Sequence, residues 1–77
     1  PLSRSEPAEI LFVGSLGYLP NDDAVRFLLD AVLPRLRATC TLPFRLVIAG
    51  AGARRALRRR LTAAADARVL ARFDDGQ

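Results

Sequence analysis

The strongest constraint on the fold is a pattern that occurs twice: a short apolar run, then a glycine turn, then the start of a helix. The first copy is EILFVGSLGYLPNDDA, residues 9–24, and the second is FRLVIAGAGARR, residues 44–55. A third apolar run, VLARF, follows at residues 69–73. The first run is rich in β-formers, which predicts a strand buried on both faces, as in a parallel sheet. The order strand–helix–strand–helix–strand therefore predicts an α/β fold, a partial Rossmann-like parallel sheet with right-handed crossovers.

The helices are predicted from capping residues and apolar spacing. The first helix is expected to begin at Asn21, whose side chain can cap free backbone N–H groups, and Pro34 predicts a kink or an end. Its buried face is predicted to consist of Val25, Leu28, Leu29, Val32 and Leu36. The second helix is predicted from Ala53 to about Ala65. Its inner face is predicted to consist of Ala53, Leu57, Leu61 and Ala64.

The chain has 77 residues, which is enough for at most one small domain. Residues 1–8 contain two prolines and two serines and are predicted to form a linker or tail, so that residues 9–77 form the domain. The chain lacks an initiating methionine and stops where a second Rossmann half would begin, so we expect a fragment of a larger protein. Three parallel strands leave an unpaired sheet edge, through which the chain could self-associate.

The residue types exclude several chemistries. With no histidine and a single cysteine, Cys40, a zinc site, an intramolecular disulfide and histidine-based acid–base catalysis are not expected. Cys40 is interpreted as a small apolar core residue, and its isolation favours a reducing compartment such as the cytoplasm. Asp22–Asp23 and Asp74–Asp75 are explained by a helix start and a turn, so no catalytic residue is assigned.

Both glycine turns are candidate ligand sites, because ligands of open parallel sheets bind outside the carboxyl ends of the strands. In the first turn, from Gly14 to Gly17, glycine permits close approach of the backbone, and the following helix offers N–H groups to an anion. A purely structural turn fits equally well. The second turn, GAGARR, has Arg55 at the third glycine position of G-x-G-x-x-G, which argues against a dinucleotide. No cofactor and no metal are expected.

Arginines at the start of the second helix are a second candidate feature. Cations there oppose the helix dipole unless an anion binds, which makes Gly52, Arg54 and Arg55 a candidate anion site. The favoured alternative is a solvated arginine face. All twelve basic residues are arginine and the net charge is +4, so this helix could also attract nucleic acid or an anionic membrane surface, as a non-catalytic basic module. Nucleic acid is disfavoured because no aromatic residues alternate with these arginines.

Three stretches of the chain form a recognisable combination: I-L-F-V-G-S-L-G-Y-L-P-N-D-D-A-V-x-F-L-L-x-x-V-L-P-R-L, F-R-L-V-I-A-G-A-G and R-V-L-A-R-F-D-D. Together they resemble the group 1 glycosyltransferases, which are retaining enzymes of the GT-B fold. The resemblance covers residues 9–75 and falls at the start of the C-terminal, donor-binding domain of that family. It implies a nucleotide-diphosphate sugar as donor, with the first turn near the diphosphate and the end of the third strand near the base. The donor-binding residues expected are Gly14, Ser15, Leu16, Gly17, Ala71, Arg72 and Phe73.

The resemblance also implies what surrounds this site. A metal ion is not usually required in the family, because helix dipoles and basic side chains carry the charge of the diphosphate. The parent protein is expected to be a cytoplasmic bacterial enzyme, with peripheral membrane contact and a lipid-linked or polysaccharide acceptor. The chain departs from the family pattern in three ways: its first loop has no basic residue before Arg26, Ala71 stands where a glycine is common, and the family's two spaced glutamates are absent. We therefore expect it to contribute to a donor site without turning over substrate alone.

Overall fold

The described part of the computed structural model, residues 8–73, is a three-stranded parallel sheet with helices between the strands. The strands are β1 (Ala8–Val13), β2 (Phe44–Gly50) and β3 (Val69–Phe73), in the order β1-β2-β3. This confirms the predicted partial Rossmann-like α/β fold, and each strand lies within one residue of its predicted bounds. Most of the predicted linker and the polar turn Asp74–Asp75 lie outside the described residues.

The helical connection between β1 and β2 contains a π-helical turn. It consists of α1 (Leu19–Phe27), the π segment (Leu28–Val32) and α2 (Leu33–Thr39). Pro34 has no N–H, and its ring would clash with a carbonyl of the preceding turn in a regular α-helix, so a widened turn lies just before it. The helix does not end at Pro34, as one of the two predicted outcomes required, because the chain remains helical through it to Thr39.

The π segment changes which residues the first crossover buries. Val25, Leu29 and Leu33 are buried at intervals of four residues. A π turn uses more residues than an α turn, so it rotates the later side chains relative to the regular 3.6-residue spacing. The predicted buried face was therefore partly wrong, because Leu33 is buried and was not among its predicted members. The predicted members that are only half-buried are Leu28, Val32 and Leu36.

The predicted cap of the first helix was wrong. The helix begins at Leu19, and Tyr18 is the residue before it, in extended conformation. Pro20 lies within the first turn, where a proline needs no hydrogen-bond partner for its nitrogen. Asn21 is consequently inside the helix, where its side chain has a different role, described below.

The second crossover is α3 (Arg55–Ala64), which begins two residues later than predicted. Leu57 and Leu61 are fully buried, and Ala53 and Ala64 pack against the core, which confirms the predicted inner face. The helix ends before Asp66, whose Oδ1 accepts hydrogen bonds from the backbone N–H groups of Arg68 (2.7 Å) and Val69 (3.0 Å).

Two interactions tie the helical layer together. Asp66 Oδ2 accepts a hydrogen bond from Arg37 of α2 at 2.9 Å, and Arg60 of α3 forms an ion pair with Asp30 of the π segment. The backbone hydrogen bond from Arg68, together with those from Arg37 and Val69, lowers the pKa of Asp66 below its ordinary value. Asp66 thus connects α2, the turn after α3 and the start of β3.

Helices from both crossovers pack on one face of the sheet, where they meet alternate residues of the strands. The core on this face contains Leu46 and Ile48 of β2 and Val69 of β3. On the opposite face, Leu11 and Val13 of β1 are 57% and 67% exposed. The prediction that β1 is buried on both faces was wrong, because β1 is an outer strand and both connections cover the same side.

Cys40 packs against the core at the end of α2, and its Sγ lies 3.3 Å from the Leu42 carbonyl oxygen. This position agrees with its interpretation as a small apolar residue. Across residues 8–73, no helix is long and apolar enough to cross a membrane.

Candidate ligand site at the carboxyl ends of the strands

The structure brings the two predicted glycine turns into direct contact. The first turn, residues 14–18, follows β1, and the second turn, residues 51–54, follows β2. The Gly14 N–H donates to the Ala49 carbonyl at 3.1 Å, and the Leu16 N–H donates to the Ala51 carbonyl at 2.8 Å. The first turn therefore continues the pairing of β1 along β2 and is held rigidly beside the second.

Three glycines make this contact possible because their backbones meet without side chains between them. A Cβ at Gly50 would lie 1.8 Å from the Gly14 carbonyl oxygen, and a Cβ at Gly17 would lie 2.7 Å from the Gly52 carbonyl oxygen. Gly52 also has a φ of 80°, a conformation that glycine adopts readily. Packing of one turn against the other thus accounts for Gly17 and Gly50. Only ligand approach or a simple change of chain direction had been predicted for the first turn.

Leu16 anchors the first turn in the core. Its side chain is fully buried, and its backbone N–H is already bonded to Ala51. Ser15 and Gly17 flank it; Ser15 is exposed and Gly17 is half-buried. Their backbone N–H groups and the Ser15 hydroxyl have no hydrogen-bond partner among residues 8–73. The predicted donor-binding residues of this turn therefore divide into anchoring groups and free hydrogen-bond donors.

Asn21 fixes the orientation of the peptide group after Ser15. Its side-chain amide donates to the Ser15 carbonyl at 2.9 Å, and the Tyr18 N–H approaches the same oxygen at 3.4 Å. A Cβ at Gly14 would lie 3.0 Å from Asn21 Nδ2, so a glycine there leaves room for this amide. This link was not predicted from the sequence, although an Asn directly after the proline of a helix start is a visible signal.

Asp22 is the buried charged residue of α1, with 3% of its surface exposed. Its Oδ1 accepts a hydrogen bond from Arg26 Nε at 2.5 Å, whereas Oδ2 is buried without a partner in the described part of the chain. The hydrogen bond to Asp22 raises the pKa of Arg26, which remains charged. The location in the first helical turn was predicted, but the burial was not.

The predicted anion site lies at the start of α3. Arg54 is the residue before the helix and Arg55 is its first residue; both are exposed, as is Gly52. Neither arginine forms an ion pair with another residue in the range 8–73. Arg58, by contrast, places its guanidinium 4.2 Å from the centroid of the Phe73 ring. The positions fit both a candidate anion site and a solvated arginine face.

The structure separates the three residues predicted at the end of β3. Phe73 lies opposite Gly50 in the sheet and packs against the core, so it is beside the glycine turns. Ala71 also packs against the core, within the strand. Arg72 lies on the other face of the sheet, with Val47 and Ala49. Only Phe73 is therefore next to the two turns.

The arrangement is a rigid edge that offers backbone N–H groups and a hydroxyl beside a helix start. Such a set of donors suits an anion, because each N–H points a partial positive charge at the ligand and the helix dipole adds to it. Within the described range, no three Asp, Glu, Cys or His side chains form a group that could hold a metal ion.

The parallel sheet, with its two glycine turns at the carboxyl ends of the strands, defines a Rossmann-like α/β protein whose candidate ligand site lies at that edge. The sequence model of the family "Glycosyl transferases group 1" matches residues 7–75, almost the whole chain, and the chain therefore belongs to that family. No curated protein and no solved structure gives a significant match. The match confirms the resemblance to the group 1 glycosyltransferases and supports a role in the transfer of a glycosyl group from a sugar donor to an acceptor.

Proposed function

We propose that this chain forms part of the donor site of a retaining glycosyltransferase of the GT-B fold, as the first portion of its C-terminal domain. The observation that carries the proposal is the free donor set of the first turn: the N–H groups of Ser15 and Gly17 and the Ser15 hydroxyl. In the proposed site, these groups bind the diphosphate of a nucleotide-diphosphate sugar. The proposed domain comprises residues 9–77.

The proposed site binds the diphosphate most strongly when its charge increases. Transfer of the sugar breaks the bond between the anomeric carbon and a diphosphate oxygen, and the electron pair of that bond remains on the oxygen. Hydrogen-bond donors fixed in advance stabilise this charge without having to reorganise. The contact of Gly14 with Ala49 and of Leu16 with Ala51 holds the turn in place, so these two residues act as its supports.

The remaining residues have subsidiary places in the proposal. Of the three residues expected to bind the donor at the end of β3, Phe73 lies beside the turns, and in this proposal it contacts the nucleotide base. Ala71 packs against the core within the strand, and Arg72 lies on the other face of the sheet. Arg54 and Arg55 start α3 at the same edge of the sheet and supply further positive charge. We assign no residue to the acceptor, which we propose to be lipid-linked or a polysaccharide and to be met at the cytoplasmic membrane surface.

Isothermal titration calorimetry with UDP, GDP and the nucleoside uridine tests this proposal. We expect a nucleoside diphosphate to bind and uridine to bind far more weakly. Ser15→Ala should weaken UDP binding about 2- to 10-fold, the equivalent of one hydrogen bond. The control Thr41→Ala removes an exposed hydroxyl near the amino end of β2 and should change nothing.

Two outcomes of the titration would contradict the proposal. One is equal binding of uridine and UDP, which would mean that the diphosphate is not recognised. The other is binding that Ser15→Ala leaves unchanged and that moderate salt abolishes for every anion alike. That second outcome would favour a basic module that binds anionic surfaces through the arginines of α3.

A further inference from the structure

The start of α1 has few free hydrogen-bond donors of its own. Pro20 carries no N–H, and the backbone N–H groups of Asn21 and Asp22 both donate to the Tyr18 carbonyl at 2.9 Å. A helix start binds an anion through the N–H groups that the helix leaves unpaired. Because two of these groups are already paired and one is missing, the donors of the proposed site must come chiefly from the first turn.

The backbone donors of the first turn lie on either side of one peptide group. The N–H groups of Ser15 and Gly17 have no partner among residues 8–73, and the peptide that joins Ser15 to Leu16 lies between them in the chain. The torsion angles that flank this peptide help to set how the two N–H groups are oriented relative to each other. A rotation that turned its carbonyl oxygen toward the ligand would also repel an anion. The affinity of the site therefore depends on how firmly this peptide is held.

The peptide between Ser15 and Leu16 is held from both sides. Its N–H, which belongs to Leu16, donates to the Ala51 carbonyl at 2.8 Å. Its carbonyl oxygen, which belongs to Ser15, accepts a hydrogen bond from the side-chain amide of Asn21 at 2.9 Å. The Tyr18 N–H is 3.4 Å from the same oxygen, which is long for a hydrogen bond. Asn21 is therefore the main partner of this carbonyl.

We propose that Asn21 is a positioning residue of the donor site: by holding the Ser15 carbonyl, it keeps the free N–H groups of the first turn in the orientation that binds a diphosphate. This role rests on the proposed function and adds a residue to it that acts through Ser15. Donors that are fixed in advance bind a charged group without having to reorganise. Loss of the Asn21 amide should then weaken binding even though every donor of the first turn remains in the chain.

The needs of the helix alone do not explain an asparagine at this position. A capping residue lies before the first helical residue, and its side-chain oxygen accepts a hydrogen bond from the backbone. Asn21 is the third residue of α1, and its side chain donates a hydrogen bond to the turn. An aspartate has nearly the same shape and would suit the helix dipole better here, but a carboxylate cannot donate. Exchange of Asn21 for aspartate therefore separates the two roles.

Three variants of the 77-residue chain test this role. Asn21→Ala removes the side-chain donor, and Asn21→Asp places an acceptor beside the Ser15 carbonyl. Leu19→Asp is the control for the second variant, because it adds the same charge to the first turn of α1 at an exposed position. Isothermal titration calorimetry measures the affinity for UDP, and ¹⁵N relaxation measures the mobility of the first-turn amides. Urea unfolding establishes that each chain is folded under the conditions of the titration.

We expect Asn21→Ala to weaken UDP binding about 2- to 10-fold, the equivalent of one hydrogen bond. The order parameters of its first-turn amides should fall below about 0.85, the value typical of rigid backbone. Asn21→Asp should bind UDP about 2- to 10-fold more weakly than Leu19→Asp, which should leave the mobility of the first turn unchanged. A residue with only a structural role would change the urea midpoint and leave the affinity of the folded chain as it was.

Two results would overturn the positioning role alone. In one, the natural chain binds UDP and Asn21→Ala binds it equally well. In the other, Asn21→Asp and Leu19→Asp weaken binding equally and leave the first turn equally rigid, so that only the added charge matters. If the natural chain itself did not bind UDP, the proposed donor site would fail and the positioning role with it. The affinity of the natural chain thus distinguishes the two failures.

Discussion

Replacement of Gly50 by alanine tests whether backbone contact between the two turns holds the ligand edge together. The new Cβ would lie 1.8 Å from the Gly14 carbonyl oxygen and 3.0 Å from Leu16 Cγ, so the turns must separate by more than 1 Å. That movement breaks the hydrogen bonds of Gly14 and Leu16, which are 3.1 and 2.8 Å long. Two hydrogen bonds at about 0.5–1.5 kcal/mol each, together with about 1–3 kcal/mol for overpacking, give a loss of about 2–6 kcal/mol.

This loss is large for so small a domain, whose total free energy of unfolding is expected to be about 4–12 kcal/mol. Urea unfolding followed by circular dichroism measures it. Gly14→Ala is the matched control: its Cβ would meet Asn21 Nδ2 at 3.0 Å, a side-chain atom that can move away, so its cost is expected to be at most that of the hydrogen bond from Asn21 to Ser15, about 0.5–1.5 kcal/mol. If Gly50→Ala were as stable as Gly14→Ala, the backbone contact would not be what requires glycine at this position.

Three further predictions concern the core and the charged groups. Leu61→Ala should lower the free energy of unfolding by about 2–5 kcal/mol in urea titrations, because it leaves a cavity at a fully buried position. The pKa of Asp66 is lowered in the folded state, chiefly by the hydrogen bond from the Arg68 N–H. The Asp66 carboxylate therefore stabilises the fold at any pH above the pKa of Asp66 in the unfolded chain. That stabilisation is lost as the pH falls through the lower pKa of Asp66 in the folded chain. Thermal melting of Asp66→Asn between pH 7 and pH 2 should show a weaker loss of stability with acid than the natural chain; an identical pH profile would contradict the assignment. Asp22→Ala removes an ion pair with the partly exposed Arg26 and also a buried oxygen without a partner among the described residues, so its urea midpoint should not fall. A clear decrease would show that the bond to Arg26 and the first-turn negative charge outweigh the cost of the buried oxygen.

Much of the fold follows from local sequence patterns. The apolar runs FRLVIA and VLARF predicted β2 and β3 because runs of β-formers between turn residues are typical of strands. The inner face of α3 was predicted because Leu57 and Leu61 keep a helical spacing that nothing in the helix interrupts. Both glycine turns were placed correctly at the carboxyl ends of the strands, because parallel strands joined by helices all end at one edge.

The incorrect predictions concern properties that depend on contacts between distant residues. The apolar run of β1 does not reveal that both crossovers cover the same face, which leaves Leu11 and Val13 exposed. The π segment shifts the buried stripe to Leu33, and helical periodicity alone assumes a constant number of residues per turn. The mutual packing of Gly17 and Gly52 links residues 35 positions apart in the chain, so no local pattern contains it.

Amide NMR of the 77-residue chain during titration with UDP at moderate salt tests the central claim most directly, because it locates the ligand as well as detecting it. We expect saturable shifts of the Ser15 and Gly17 amides and of the amide of Phe73, with smaller effects elsewhere. Shifts that spare the first turn and fall only on Arg54 to Arg60, or no shifts at all at saturating UDP, would contradict the proposed donor site.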